Sequence, residues 1–276
     1  MKRHKASMLY PGVIIGAYLL MTLLGSCQDE DFNPSLTQAF DVQSAANGAT
    51  YPIRVALPTA YYTSAERYPA IYVLDGEENF GFVANHCREI SERLATQNVV
   101  VVSIGYGQDR SIDYTPTKTS EMTGGGTQFL DFIETQLIPQ MEERFRVDTT
   151  RNGRVLLGHS YGGLFGACVL AVNNQLFGNY LLLSPSIWFD NEVSLQLEKA
   201  YRAANKDQHH LVFLGIGELE NAGRMQAPFE AFYEALRDNY ADISLAKNRE
   251  KHLDHVGSRQ PNIVKGLNYY FQNRQL

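Results

Sequence analysis

The sequence has 276 residues, 44% of them hydrophobic, which is enough apolar side chain to fill the core of a large domain and excludes a disordered or fibrous chain. With 24 Lys and Arg against 30 Asp and Glu the net charge is -6, so no broad basic face can neutralise a phosphate backbone and nucleic acid is excluded as a partner. The three cysteines, Cys27, Cys87 and Cys168, share no C-x-x-C spacing and leave one unpaired, so neither a disulfide framework nor a Cys-ligated zinc site is encoded.

In chain order, residues 1–26 come first, with Lys2, Arg3 and Lys5, no acid, an apolar stretch from Met8 to Leu24, and small Gly25 and Ser26. That three-part plan predicts a secretory signal peptide; the alternative is an uncleaved anchor, since the stretch approaches the roughly 20 apolar residues a bilayer needs. Leu24-Gly25-Ser26-Cys27 resembles the lipobox of bacterial lipoproteins, which implies cleavage before Cys27 and a lipid on that residue. The following Gln28, Asp29, Glu30 and Asp31 resemble the acidic export tag of surface lipoproteins, against the plainer alternative of a solvated linker. The expectation is a secreted protein lipid-anchored to the bacterial cell envelope, on the outer membrane. Residues 27–50, polar and with Pro34, Asn47 and Gly48, read as a tether.

The folded domain is predicted over 51–276, where apolar runs alternate with helical patterns. This is the form of an α/β fold, a mostly parallel central sheet flanked by helices on both faces. Strands are predicted at Tyr51–Leu57, Ala70–Leu74, Val99–Ile104, Arg154–Leu157, Tyr180–Leu183, Leu211–Gly215 and Ile243–Ala246. Leu130, Ile133, Leu137, Met141 and Phe145 mark one face of a helix that Pro139 should kink, and Phe229, Phe232, Tyr233, Leu236 and Tyr240 mark the core face of another.

Chemistry begins at Gly158-His159-Ser160-Tyr161-Gly162, a G-x-S-x-G between the apolar run Val155-Leu156-Leu157 and an all-apolar helical stretch from Gly163 to Leu170. Strand, sharp turn and helix are the context in which this motif lifts a serine above a sheet, and the flanking glycines are expected to remove side chains that would collide there. A serine alcohol needs a base and usually an acid that orients the base, in the chain order Ser, acid, His. Four histidines follow Ser160. His209 and His210 precede an apolar strand and read as edge residues, whereas His252 and His255 lie in the polar stretch before the final helix, where the base belongs. Of these His255 is preferred. Past the Leu211–Gly215 strand the sequence offers Glu218 and Glu220 as the acid, with Glu220 preferred.

The order and spacing of several pieces resemble the esterase family of the α/β-hydrolase superfamily that includes siderophore esterases and feruloyl esterases. They are Tyr72 to Gly76, Arg110 to Pro116, Gly124 to Gly126, Gly158 to Gly163, Ser184 to Trp188, Gly217 to Glu220 and the loop from His255 to Gly266-Leu267. The family's histidine lies six residues before a Pro and eleven before a Gly-Leu pair; His255 meets both with Pro261 and Gly266, and His252 meets neither. Tyr161 departs from the smaller or aliphatic residue more common in the siderophore branch. The resemblance implies an oxyanion hole from the Tyr161 N–H and an N–H of the Asp75-Gly76-Glu77 turn, donors at helix starts that face developing negative charge.

Asp75 itself reads as a turn former. Arg110 and Asp113 are candidates for a charged substrate or for an i, i+3 pair holding the loop from Gly107 to Gly126. Trp188 is expected to stack on a sugar or an aromatic acyl group, or to pack at a loop base. The glycines at 124–126 lack the Lys-Ser/Thr of a phosphate loop and read as a turn. The expected activity is a serine esterase without metal or organic cofactor, acting on a siderophore lactone or an acyl or feruloyl ester of a glycan. The competing expectations are a non-catalytic lipoprotein that binds a glycan or siderophore, and a peptidase or acyltransferase of the same fold.

Overall fold

Each apolar run predicted as a strand is a strand in the computed structural model, which describes residues 32–275. The strands are β1 (Thr37–Gln43), β2 (Thr50–Ala56), β3 (Ala70–Val73), β4 (Val100–Ile104), β5 (Arg154–His159), β6 (Asn179–Leu183), β7 (His210–Gly217) and β8 (Ile243–Glu250). The helices are α1 (Gly76–Arg93), α2 (Arg110–Asp113), α3 (Gly126–Phe132), α4 (Ile138–Arg144), α5 (Tyr161–Val172), α6 (Phe189–Asn205), α7 (Ala227–Asn239) and α8 (Arg259–Asn273). The strands form one sheet in the order β1-β2-β4-β3-β5-β6-β7-β8, antiparallel at β1-β2 and β2-β4 and parallel from β4 to β8.

Successive residues of a strand point to opposite faces, and this sorts the core into two layers. Tyr72 and Leu156 face the layer of Phe129, Phe132, Met141, Phe229 and Phe232, whereas Ile71, Val73, Val155 and Leu157 face that of Phe80, Val83, Ile263, Leu267 and Tyr270. Helices α1 and α8 therefore cover one face and α3, α4 and α7 the other, which confirms the predicted α/β-hydrolase layering.

Residues 37–49 correct the expected tether. They form a hairpin with β2, in register from Thr37 opposite Ala56 to Gln43 opposite Thr50, closed where the Ser44 N–H donates to the Ala49 carbonyl at 2.8 Å. Only Val42 of β1 is buried, so its stability comes from main-chain pairing and no apolar run announces it. Phe32 packs edge-on against Phe80, so the folded unit is already under way there. The proposed signal segment and Cys27 lie outside the described residues. Among the described residues no helix is long and apolar enough to cross a membrane.

The helix expected to kink at Pro139 is interrupted one turn earlier. A π-helical turn at Ile133–Leu137 joins α3 to α4 and places Pro139 in the first turn of α4. Proline has no N–H for the carbonyl four residues back and its ring collides with it, and the wider turn relieves both. Ile133, Leu137 and Met141 stay buried on one face, as the spacing predicted.

Candidate active site

Ser160 sits between the last residue of β5 and the first of α5, with φ 60° and ψ -116°. A non-glycine residue holds a positive φ at a cost of roughly 1–2 kcal/mol, so the surroundings must enforce it. They do so through close packing. A Cβ on Gly158 would lie 2.4 Å from the Gly162 carbonyl oxygen, so only glycine fits there. Gly162 itself has ordinary room, 3.4 Å from Leu74, and the second tight position is Gly163, whose Cβ would meet Pro185 at 2.9 Å. The collision relieved on the helix side is thus one residue later than the motif suggests.

His255 and Glu220 reach Ser160 from loops at the carboxyl ends of the parallel strands. The His255 Nε2 lies 2.9 Å from the Ser160 Oγ, and its Nδ1 lies 2.8 Å from the Glu220 Oε2. A carboxylate only accepts, so Nδ1 carries the proton and Nε2 is left to accept from the serine hydroxyl. The other carboxylate oxygen of Glu220 accepts from the Ser184 hydroxyl at 2.6 Å and the Gly217 N–H at 2.8 Å. Burial pushes the Glu220 carboxyl up, but the hydrogen bonds from His255, Ser184 and Gly217 outweigh it and hold the group below the ordinary carboxylate value.

The two residues that competed with these pair with each other. Glu218 accepts from the His252 N–H at 2.7 Å and lies 3.5 Å from its Nδ1, at a position where the His252 side chain is 88% exposed. His209 pairs with Asp242, as an edge residue would. His210 does not behave as an edge residue, being fully buried as the first residue of β7 against Arg151 and Asn174; burial and the Arg151 charge lower its pKa to about 3.

Tyr161, Gly76 and Glu77 occupy the first turns of α5 and α1, where backbone N–H groups have no acceptor within the helix. The two turns adjoin, since a Cβ on Gly162 would lie 3.5 Å from the Asp75 carboxylate. Asp75 is left-handed at φ 52°, its N–H donates to the Tyr114 hydroxyl at 3.1 Å, and its carboxylate accepts from Tyr106 at 3.0 Å. Of the three N–H groups in the predicted turn, that of Asp75 is therefore taken.

Arg110 corrects one reading made of it. Its guanidinium grips Asp75 through two bonds of 2.7 and 2.9 Å and reaches the His159 carbonyl at 3.2 Å, so it ties the α1 turn to the end of β5 and does not pair with Asp113. Asp113 instead accepts from Tyr51 at 2.9 Å and Gln108 at 2.5 Å.

Ser160, Tyr161, Trp188, Glu220 and His255 line one cavity of about 460 Å³. Trp188 is not free to stack as expected on the ring face covered by the Arg224 guanidinium, 3.7 Å from the ring centroid. Sequence reasoning missed Arg224, Ser184 and His159. The last is buried beside His255, its Nε2 2.9 Å from the His255 carbonyl, and burial and the neighbouring His255 hold its pKa down at about 3. A neutral His159 donates that bond. Its position inside G-x-S-x-G was the available signal, whereas nothing in sequence distinguishes Arg224 from a solvated arginine. Among the described residues no cluster of three or more His, Cys, Asp or Glu is placed to hold a metal ion.

The family described as "Putative esterase" matches residues 44–259. The chain is 30% identical over 220 residues to the siderophore triacetylfusarinine C esterase of Aspergillus fumigatus, covering 73% of this chain and 75% of that one. It is also 30% identical over 225 residues to the ferri-bacillibactin esterase BesA of Bacillus subtilis, covering 72% and 77%. An IroE-like serine hydrolase from Shewanella oneidensis superposes with a TM-score of 0.77 at 27% identity, over 86% of this chain and 80% of that one. With the match spanning most of the sheet and every loop that reaches Ser160, the chain belongs to this esterase family and is a carboxylic ester hydrolase of the α/β-hydrolase fold.

Proposed function

We propose that the protein is a serine esterase that cleaves a siderophore ester through an acyl-enzyme intermediate. The observation that carries the mechanism is the unbroken chain from the Ser160 Oγ through His255 to a buried Glu220, with contacts of 2.9 and 2.8 Å. His255 takes the Ser160 proton as the oxygen attacks the ester carbonyl. The N–H of Tyr161 and those of Gly76 and Glu77 receive the oxyanion, and His255 then protonates the departing alcohol. Water, deprotonated by the same imidazole, releases the acid. Glu220 keeps the imidazole in the required tautomer and stabilises its cation.

The substrate reading rests on the relatives, whose names specify siderophore esterases of a fungus and a bacterium. The second reading, carried by the sequence resemblance alone, is an acyl or feruloyl ester of a glycan. The discriminating experiment is a hydrolysis panel of tri-lactone and hydroxamate siderophores, feruloylated and acetylated oligosaccharides and short aryl esters, with Ser160→Ala as control. Turnover of siderophore esters well above the rest supports the proposal, and turnover confined to glycan esters overturns the substrate. Export with a lipid on Cys27 is proposed on the sequence alone. Cys27→Ser should move the protein from the detergent to the aqueous phase of a cloud-point separation, and wild type in the aqueous phase would refute the anchor.

A further inference from the structure

Arg224 is a cation at the mouth of the catalytic cavity whose charge is unmatched. It lines the same cavity as Ser160 and His255, on the π-helical turn Ala222–Gln226 that follows Glu220 directly. Among the described residues no carboxylate lies within ion-pair distance of its guanidinium, and its side-chain partner is the face of Trp188 at 3.7 Å. The two carboxylates that line this cavity are committed elsewhere. Glu220 serves His255, Ser184 and Gly217, and Asp254 accepts from the Gly257 N–H at 2.8 Å.

The backbone that carries the arginine is fixed. The Asn221 Oδ1 accepts the Arg224 backbone N–H at 2.8 Å, and the Gln226 amide clamps the Glu218 and Glu220 carbonyls at 2.8 and 2.7 Å, so the turn is tied to the acid of the triad. A guanidinium 3.7 Å from the indole centroid, on the lining of the cavity and without a carboxylate partner, keeps N–H donors that match the two oxygens of a carboxylate or catecholate. A ring already covered by a cation offers that face to no substrate ring. The pair is therefore built as an anion fork on an aromatic support.

We propose that Arg224, supported by Trp188, selects esters that carry an anionic group beside the scissile carbonyl. The inference rests on the serine esterase reading and narrows it to a substrate charge. It is tested with an isosteric pair, the 4-nitrophenyl esters of 4-carboxybenzoate and of 4-carbamoylbenzoate, which differ in charge and hardly in shape. Wild type should favour the carboxylate in kcat/KM by at least about tenfold, the range of one charge-assisted hydrogen bond, and 1 M salt should erode the preference. Arg224→Gln should bring the ratio to about one and Arg224→Glu should invert it, a charge effect that lost packing would not produce. Because each ratio is internal to one variant, a general loss of activity does not imitate the result.

The same two acids, as their methyl esters, are titrated against Ser160→Ala by the fluorescence of Trp188, the chain's single tryptophan and the residue beneath the cation. Charge-selective binding that disappears in Ser160→Ala/Arg224→Gln supports the subsite even if wild type hydrolyses neither ester, the esterase reading being decided by the hydrolysis panel. Hydrolysis of both esters with a ratio near one in wild type, or an unchanged ratio in Arg224→Gln, overturns the inference and leaves the esterase standing.

Discussion

Two histidine–glutamate pairs lie side by side on the same two loops, three residues apart at the histidine and two at the glutamate, yet only one is wired to Ser160. In His255–Glu220 the acid side chain is fully buried and the imidazole lies on the Ser160 Oγ. In His252–Glu218 the imidazole is in solvent and the carboxylate spends a hydrogen bond on the backbone N–H of its own partner. The chemical groups are identical. What differs is how many donors converge on the carboxylate and how much water competes for it. An exposed pair is worth little because solvent screens it, whereas a buried carboxylate that accepts three bonds is locked in geometry and charge. The outer pair ties the two loops together at the surface, and the inner pair reaches the Ser160 hydroxyl.

The comparison is broken most severely at the inner pair's target. Ser160→Ala and His255→Ala should each lower kcat by at least about 10⁴-fold, and the double variant should fall no further than either alone, because nucleophile and base act as a unit. Steady-state kinetics on an activated aryl ester measures this, and additive losses would mean that the two residues work separately.

Exchanging equivalent atoms in the two pairs sharpens the contrast. Glu220→Gln should cost about 10²–10⁴ in kcat with folding intact, since the amide cannot stabilise an imidazolium, while Glu218→Gln and His252→Ala should each stay within about tenfold of wild type. A dead His252→Ala beside an active His255→Ala would invert the assignment of the base.

A smaller effect is expected at the hydroxyl behind the acid. Ser184→Ala removes one of the two donors on the Glu220 Oε1 and should lower kcat by about tenfold with little change in KM, the cost of one hydrogen bond to a charged group. An altered KM with unchanged kcat would mean that Ser184 senses substrate and not the acid.

The smallest effect concerns stability and pH. Glu220 titrates below its ordinary value of 4.5, so folding favours its ionised form. The stabilisation is complete above pH 4.5 and is lost as pH falls through the lower folded value. Urea midpoints of wild type and Glu220→Gln should therefore keep a constant gap from pH 6 to 8 and converge in acid. A gap that widens as pH falls would mean that burial outweighs the hydrogen bonds.

The sequence by itself determined the features that depend on local pattern. Five apolar runs, Ala70–Leu74 and Leu211–Gly215 among them, announce buried strands because a residue covered on both faces must be apolar, while β2 and β8 are partly exposed. Gly158 and Gly162 announce the elbow in the sequence, and Gly158 is required there because a side chain on it would strike backbone, although on the helix side the tight position is Gly163. Tertiary structure decided whatever depends on partners distant in the chain. Strand β1 carries no apolar run because main-chain bonds to β2 hold it and only Val42 is buried. Arg110 sits three residues from Asp113 yet spends its charge on Asp75, 35 positions away, because the α1 turn and the end of β5 meet only in the folded sheet. Arg224 looks like any solvated arginine until the loop after β7 lays it on Trp188, 36 positions earlier. Residue type and spacing record what a side chain is able to do, and which charge it meets is set by packing between segments that the linear chain keeps apart.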